Sequence, residues 1–160
     1  MAIRNVRELG DDILRKKSRE VKEVTPKIRE LIEDMYDTMY ETEGVGLAAP
    51  QVGILKRIVV IDTDGTPYTM INPVILESSG SQTGSEGCLS VPGKAGMVTR
   101  PDYVRAEAWN ENMERYEVEA TGLLARAICH ELDHLDGIMY VDLVEGELYD
   151  VEADDEDYEE

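Results

Sequence analysis

The chain has 160 residues, enough for one domain that buries roughly two thirds of its unfolded surface, and its 42% apolar and 32% charged content is that of a globular protein. A formal net charge of -19 with no compact basic patch excludes direct binding of nucleic acid as an expectation. No run of about eighteen apolar residues occurs, and the opening MAIRNVRELG has Arg4 and Arg7 without an apolar stretch behind them, so neither a membrane span nor a secretory leader is expected, and a cytoplasmic protein is.

In chain order, the first clear element is TPKIRELIEDMYDTMYETEG. Thr25 as N-cap, Pro26 at the first helical position and Ile28, Leu31, Ile32, Met35 and Met39 along one face predict a helix that stops by Gly44. GVGLAAPQVG follows, where three glycines and a proline predict a loop without regular structure. RIVVID then reads as a strand, DTDGTP as a turn, YTMINPVIL as extended and SSGSQTGSEG as a flexible connection. DYVRAEAWN and ERYEVEA alternate in polarity around NEN and predict a hairpin. TGLLARAICHELDHLDG is the second helix, with Thr121 as N-cap and Gly137 closing it; apolar on more than one side, it is expected to be central.

Antiparallel strands segregated from two helices predict an α+β domain, with the strands packed around the central helix that carries HELDH. With no Phe and a single Trp, aliphatic residues and Tyr are expected to fill the interior. The expected organisation is one catalytic domain over residues 1–147 and a mobile acidic tail over 148–160. Residues 150–160 alone hold eight acidic and no basic side chains.

The only two histidines, His130 and His134, stand four apart, which puts both imidazoles on one helical face about a turn apart. Random placement would give that spacing about once in 80 arrangements, so a shared metal ion outweighs coincidence. Glu131, next to the first histidine, can reach a water at the ion without being a ligand, as general base and acid. A third ligand must come from elsewhere. The extended pattern HExxHxxGxxH is met through Gly137 but ends in Tyr140. Glu145 and Glu147 follow closely in what reads as a turn, and Cys129 points about 100° away from His130 on the helix. Cys88, in SEGCLSVPG, remains: a thiolate there completes a Cys-His-His set and leaves a fourth position for water, while a core cysteine in a strand is the competing reading.

GVGLAAPQ, EGCLS and HELDH, in that order and at similar spacing, resemble the three motifs of the peptide deformylase family, and the likeness runs from RELGDDILRKKS to about Val141. The resemblance implies metal ligation by Cys88, His130 and His134 and catalysis by Glu131. It also implies that the Gln51 amide and the Leu89 backbone N–H bind the developing oxyanion, and that Val45 and Gly46 run beside the substrate. The family commonly has an arginine near Ala95; this chain has Lys94 and Arg100 nearby, and that role is not carried over.

The implied reaction releases formate from N-formylmethionyl nascent peptides. The implied ion is Fe²⁺, with Zn²⁺, Ni²⁺ or Co²⁺ able to take its place, whereas donor chemistry alone suggests Zn²⁺. A monomer is expected. A transient ribosome contact is expected as a partner, but the acidic end departs from family members with a basic C-terminal helix, and the contact known for them is not carried over. A small HExxH metallopeptidase acting on unformylated peptides is the alternative enzyme, and a structural zinc module the non-enzymatic one.

Overall fold

A computed structural model describes residues 2–151; the expected acidic tail lies outside the described residues from position 152 onward. Helix α1 spans Pro26–Glu41. The Thr25 side chain accepts a hydrogen bond from the Ile28 amide, and Pro26 sits where its missing N–H would have had no partner. The predicted apolar stripe is buried, and Asp34 and Thr38 are buried with it because the N-terminal segment crosses that face. Asp34 accepts from the Ala2 amide and from Arg4 Nε, and Thr38 Oγ1 accepts from the Arg4 amide.

The strands are β1 (Gly46–Ala48), β2 (Ile58–Ile61), β3 (Tyr68–Ser79), β4 (Gln82–Cys88), β5 (Val91–Arg100), β6 (Tyr103–Trp109), β7 (Arg115–Thr121) and β8 (Glu145–Asp150). Five form a sheet in the order β1-β2-β3-β6-β7 and three a second sheet in the order β4-β5-β8, all pairings antiparallel. Strand β2 is buried on both faces, which is why IVVI is continuous rather than alternating. Ile58 and Val60 pack with α1. Val59 and Ile61 pack with the second helix, α2 (Gly122–Leu135).

Helix α2 is the centre of the molecule, as its pattern predicts, with Ala125, Ala127, Ile128, Leu132 and Leu135 against the larger sheet. Small side chains on both surfaces, including Ala48, Ala106 and Ala108 on the strands, let its backbone lie close to the sheet. Thr121 occupies the N-cap position but its side chain accepts no hydrogen bond there. At the far end the Leu135 carbonyl accepts from the Ser18 amide and from Arg57, so that terminal carbonyl is satisfied. Gly137 follows at φ 78, where a Cβ would stand 2.5 Å from the Arg15 carbonyl oxygen; only glycine closes the helix here.

Several expectations are corrected. GVGLAAPQVG is not without structure: it forms β1 and then a 3-10 turn over Ala49–Val52. SSGSQTGSEG is the end of β3 and most of β4, held by backbone pairing with β5 rather than by apolar side chains. Glu145 and Glu147 lie on β8, not in a turn, and β8 carries residues 148–150, so ordered structure continues past the expected boundary at 147. Among the described tyrosines only Tyr140 is fully buried; aliphatic residues fill most of the interior.

Candidate metal centre and active site

The site forms where α2 passes under the hairpin of β4 and β5. Cys88 ends β4 at a register shift between Glu86 and Cys88, an irregularity of the kind that re-aims a side chain at a strand end. Its sulfur lies 3.3 Å from His134 Nε2, which is 3.3 Å from His130 Nε2. All three ligand atoms fall within 4.8 Å of one another. The other candidates stay apart. Cys129 packs in the core between α2 and the sheet, its thiol pushed up to about 11 by burial. Glu145 accepts from Thr99 on the exposed edge of the smaller sheet. Tyr140, at the place of a third histidine, stacks on the His130 ring at 6.0 Å.

The donor set fits a cation. Burial alone would lower the His130 imidazole, yet the Cys88 sulfur and the Glu86 carboxylate hold it up to about 10. His134, equally buried and facing that charge, is held well below its ordinary value. A sulfur and two imidazole nitrogens gathered within 4.8 Å of one another are a donor set suited to one divalent ion.

Glu86 is a residue of the site that the sequence did not single out. Its Oε1 lies 2.8 Å from His130 Nδ1, which fixes the ring so that Nε2 faces the ligand cluster. Two guanidinium groups hold Glu86 in turn: Arg100 donates at 2.6 and 3.1 Å and Arg126 at 2.7 Å. Burial opposes ionisation of Glu86, but His130 and Arg100 outweigh it and hold the carboxyl far below the usual range. The signal available in the sequence was an acid two residues before Cys88, in EGCLS. Its partners come from β5 and α2, and no local pattern links them.

Glu131 is 4% exposed, and its Oε1 has no hydrogen-bond partner. Burial pushes its carboxyl up to about 7, and a cation at the cluster would oppose that shift. Gly46 lies against it: a Cβ there would stand 2.6 Å from Glu131 Oε2. Gln51 is 1% exposed. Its Oε1 accepts from the Ala48 amide at 2.9 Å, and its Nε2 donates to Ser90 Oγ at 3.0 Å and points at Cys88 Sγ at 3.6 Å. The N-terminal segment secures both motifs, the Arg7 amide donating to the Gln51 carbonyl and the Leu9 amide to the Ser90 carbonyl. Val45, Gly46, Gln51, Cys88, Leu89 and Glu131 all line one cleft of about 550 Å³, so the structure brings the sequence-predicted residues together.

A buried carboxylate beside a Cys-His-His cluster at the floor of an open cleft, on a small α+β domain, defines a metal-dependent hydrolase of the HExxH type. The polypeptide deformylase family model matches residues 3–148, and the chain belongs to that family, whose enzymes remove the N-formyl group from newly made polypeptides. It is 66% identical over 155 residues to the peptide deformylase of Agathobacter rectalis, covering 97% of this chain and 98% of the relative. It is 60% identical to that of Lachnoclostridium phytofermentans over the full length of both. The crystal structure of peptide deformylase from Thermotoga maritima superposes with a TM-score of 0.88 at 38% identity, over 90% of this chain and 99% of that one. That from Ehrlichia chaffeensis in complex with actinonin gives 0.89 at 36% identity, over 91% and 90%.

Proposed function

We propose that Cys88, His130 and His134 hold one divalent ion, that Glu131 carries the proton, and that Gln51 and the Leu89 N–H bind the oxyanion as formylmethionyl peptides are hydrolysed. The observation that carries the reading is the Glu131 carboxylate: buried, unpartnered at Oε1, and in the same cleft as the Cys-His-His cluster. When bound, the ion supplies Lewis acidity to the formyl oxygen and to water. The formylated end enters beside Val45 and Gly46, where glycine leaves room for the peptide and for the Glu131 carboxylate. Glu131 takes a proton from water as its oxygen adds to the formyl carbon. One N–H of the Gln51 amide is occupied by Ser90, and the other, aimed past the Cys88 sulfur, donates to the oxyanion together with the Leu89 amide. The carbon–nitrogen bond then breaks, Glu131 returns the proton to the departing amine, and formate and a free methionine N-terminus result.

The family resemblance supports Fe²⁺ as the working ion, and the donor set also accepts Zn²⁺, Ni²⁺ or Co²⁺. Among the described residues no helix is long and apolar enough to cross a membrane. We take the enzyme to act in the cytoplasm as a monomer, on nascent peptides met through transient ribosome contact. Formate release from formyl-Met-Ala-Ser, with unformylated Met-Ala-Ser alongside, tests the reading. Deformylation predicts formate from the first and no cleavage of the second; peptide-bond cleavage of both would favour a metallopeptidase.

A further inference from the structure

We infer that a second pocket, outside the cleft, binds the guanidinium group of an arginine side chain presented by a polypeptide. It lies where the C-terminal half of α1 meets the start of β3 and the turn between β6 and β7. Its volume of about 510 Å³ is that of a small-ligand site. Tyr36, Tyr40, Tyr68 and Tyr116, four of the chain's eight tyrosines, form its walls, and Glu111 stands among them. None of the residues lining it lines the cleft that holds Cys88 and Glu131.

Three of the hydroxyl groups are already committed. Tyr36 shares a hydrogen bond of 2.8 Å with Thr69 Oγ1, Tyr116 donates to the Thr69 carbonyl, and Tyr40 donates to Asp62 at 2.6 Å. The rings are fixed by these bonds, with those of Tyr36 and Tyr40 stacked at 6.1 Å and 21° between their planes. What they offer a ligand is therefore π surface, whose partial charge is negative. The side-chain charge around them has the same sign. Among the described residues no lysine or arginine lines the pocket. Arg29 reaches the adjoining turn but donates to Asn112 at 3.2 Å, and among the described residues Glu111 forms no ion pair. Burial pushes the Tyr36 phenol up to about 12, and Glu111, Tyr40 and Asp62 push it the same way. Burial also raises Tyr116, with Tyr36 and Glu111 adding to the effect. The phenols thus stay neutral in a field that favours a cation.

Aromatic faces beside an unpaired carboxylate recognise an organic cation. Guanidinium suits this pocket better than ammonium, because it is planar, stacks on a ring face, gives up water more easily and presents a fork that matches the Glu111 carboxylate. A free amino acid would bring its own carboxylate towards Glu111 and Asp62, so like charges disfavour it and the arginine is one within a chain.

Titration of the intact zinc-loaded enzyme with N-acetylarginine amide, followed by ¹H–¹³C spectra of its tyrosine rings and by its backbone amide signals, tests this. The expected result is that the rings of Tyr36, Tyr40, Tyr68 and Tyr116 shift together while the amides of Leu89 and Glu131 stay in place. N-acetylcitrulline amide, nearly the same shape without the charge, should bind about tenfold more weakly, and N-acetyllysine amide and free arginine each about threefold more weakly. Glu111→Gln, in an exposed turn, should cost about threefold in affinity, as should Tyr40→Leu at a half-exposed ring. Equal binding of the arginine and citrulline amides, or shifts confined to the cleft, would overturn the site. Lysine amide bound as tightly as arginine amide would overturn the choice of guanidinium, and free arginine bound as tightly would overturn the choice of a polypeptide. Unaltered affinity in Glu111→Gln would remove the carboxylate from the recognition even if Tyr40→Leu fails to fold.

Discussion

Replacing Glu86 with glutamine keeps its shape but removes the one anion that two buried guanidinium groups and the His130 ring share. Arg100, 5% exposed, would keep Asp133 as an anionic partner, whereas Arg126, 9% exposed, would be left with no carboxylate, only the Val98 carbonyl and the neutral glutamine amide. Removing one partner of a buried ion pair costs about 3–5 kcal/mol, because the remaining charge is left in a medium that solvates it poorly. Total domain stability is about 5–15 kcal/mol, so the variant should still fold at low temperature with most of its margin gone. Loss of the group that orients a metal-binding histidine weakens metal affinity by about 10- to 100-fold. Urea unfolding of the metal-stripped proteins isolates the first effect, and competition dialysis against a chelator measures the second. A stability change below about 1 kcal/mol, together with unchanged metal retention, would refute the claim that Glu86 anchors this network.

Cys88→Ala should lose the metal on dialysis, while Cys129→Ala should keep it and cost only packing stability; metal analysis showing the reverse would remove Cys88 from the ligand set. Gly46→Ala puts a methyl group 2.6 Å from Glu131 Oε2, so turnover should fall by about 10²-fold with metal content intact, as steady-state kinetics and elemental analysis together would show. The iron-loaded enzyme should lose activity in air faster than the zinc-loaded one, with oxygen added to the Cys88 peptide by mass spectrometry; equal decay without that mass change would argue against an accessible thiolate on a redox-active ion.

The parts legible in the sequence are those whose causes are local. The spacing of His130 and His134 needs only the helical repeat, and α1 announces itself through Thr25, Pro26 and its apolar stripe. The α2 pattern, apolar on several sides, correctly places that helix between the layers. The hairpin of β4 and β5 was not legible, because Gly84, Ser85, Gly93 and Gly96 offer no alternation and backbone pairing does the work. Strand β8 was hidden for a related reason: its acidic side chains read as solvated, and only its pairing with β5 orders them. Glu86 was missed because a buried acid is recognisable only through its partners, which here lie 14, 40 and 44 residues away.

In the proposed reaction Glu131 moves the proton while Cys88, His130 and His134 hold the ion. Formate release from formyl-Met-Ala-Ser and metal content, measured on the same preparations of the parent enzyme and of Glu131→Gln, test this directly. The expected result is equal metal in both and turnover lower in the variant by about 10²- to 10⁴-fold. Turnover close to that of the parent at equal metal content would contradict it.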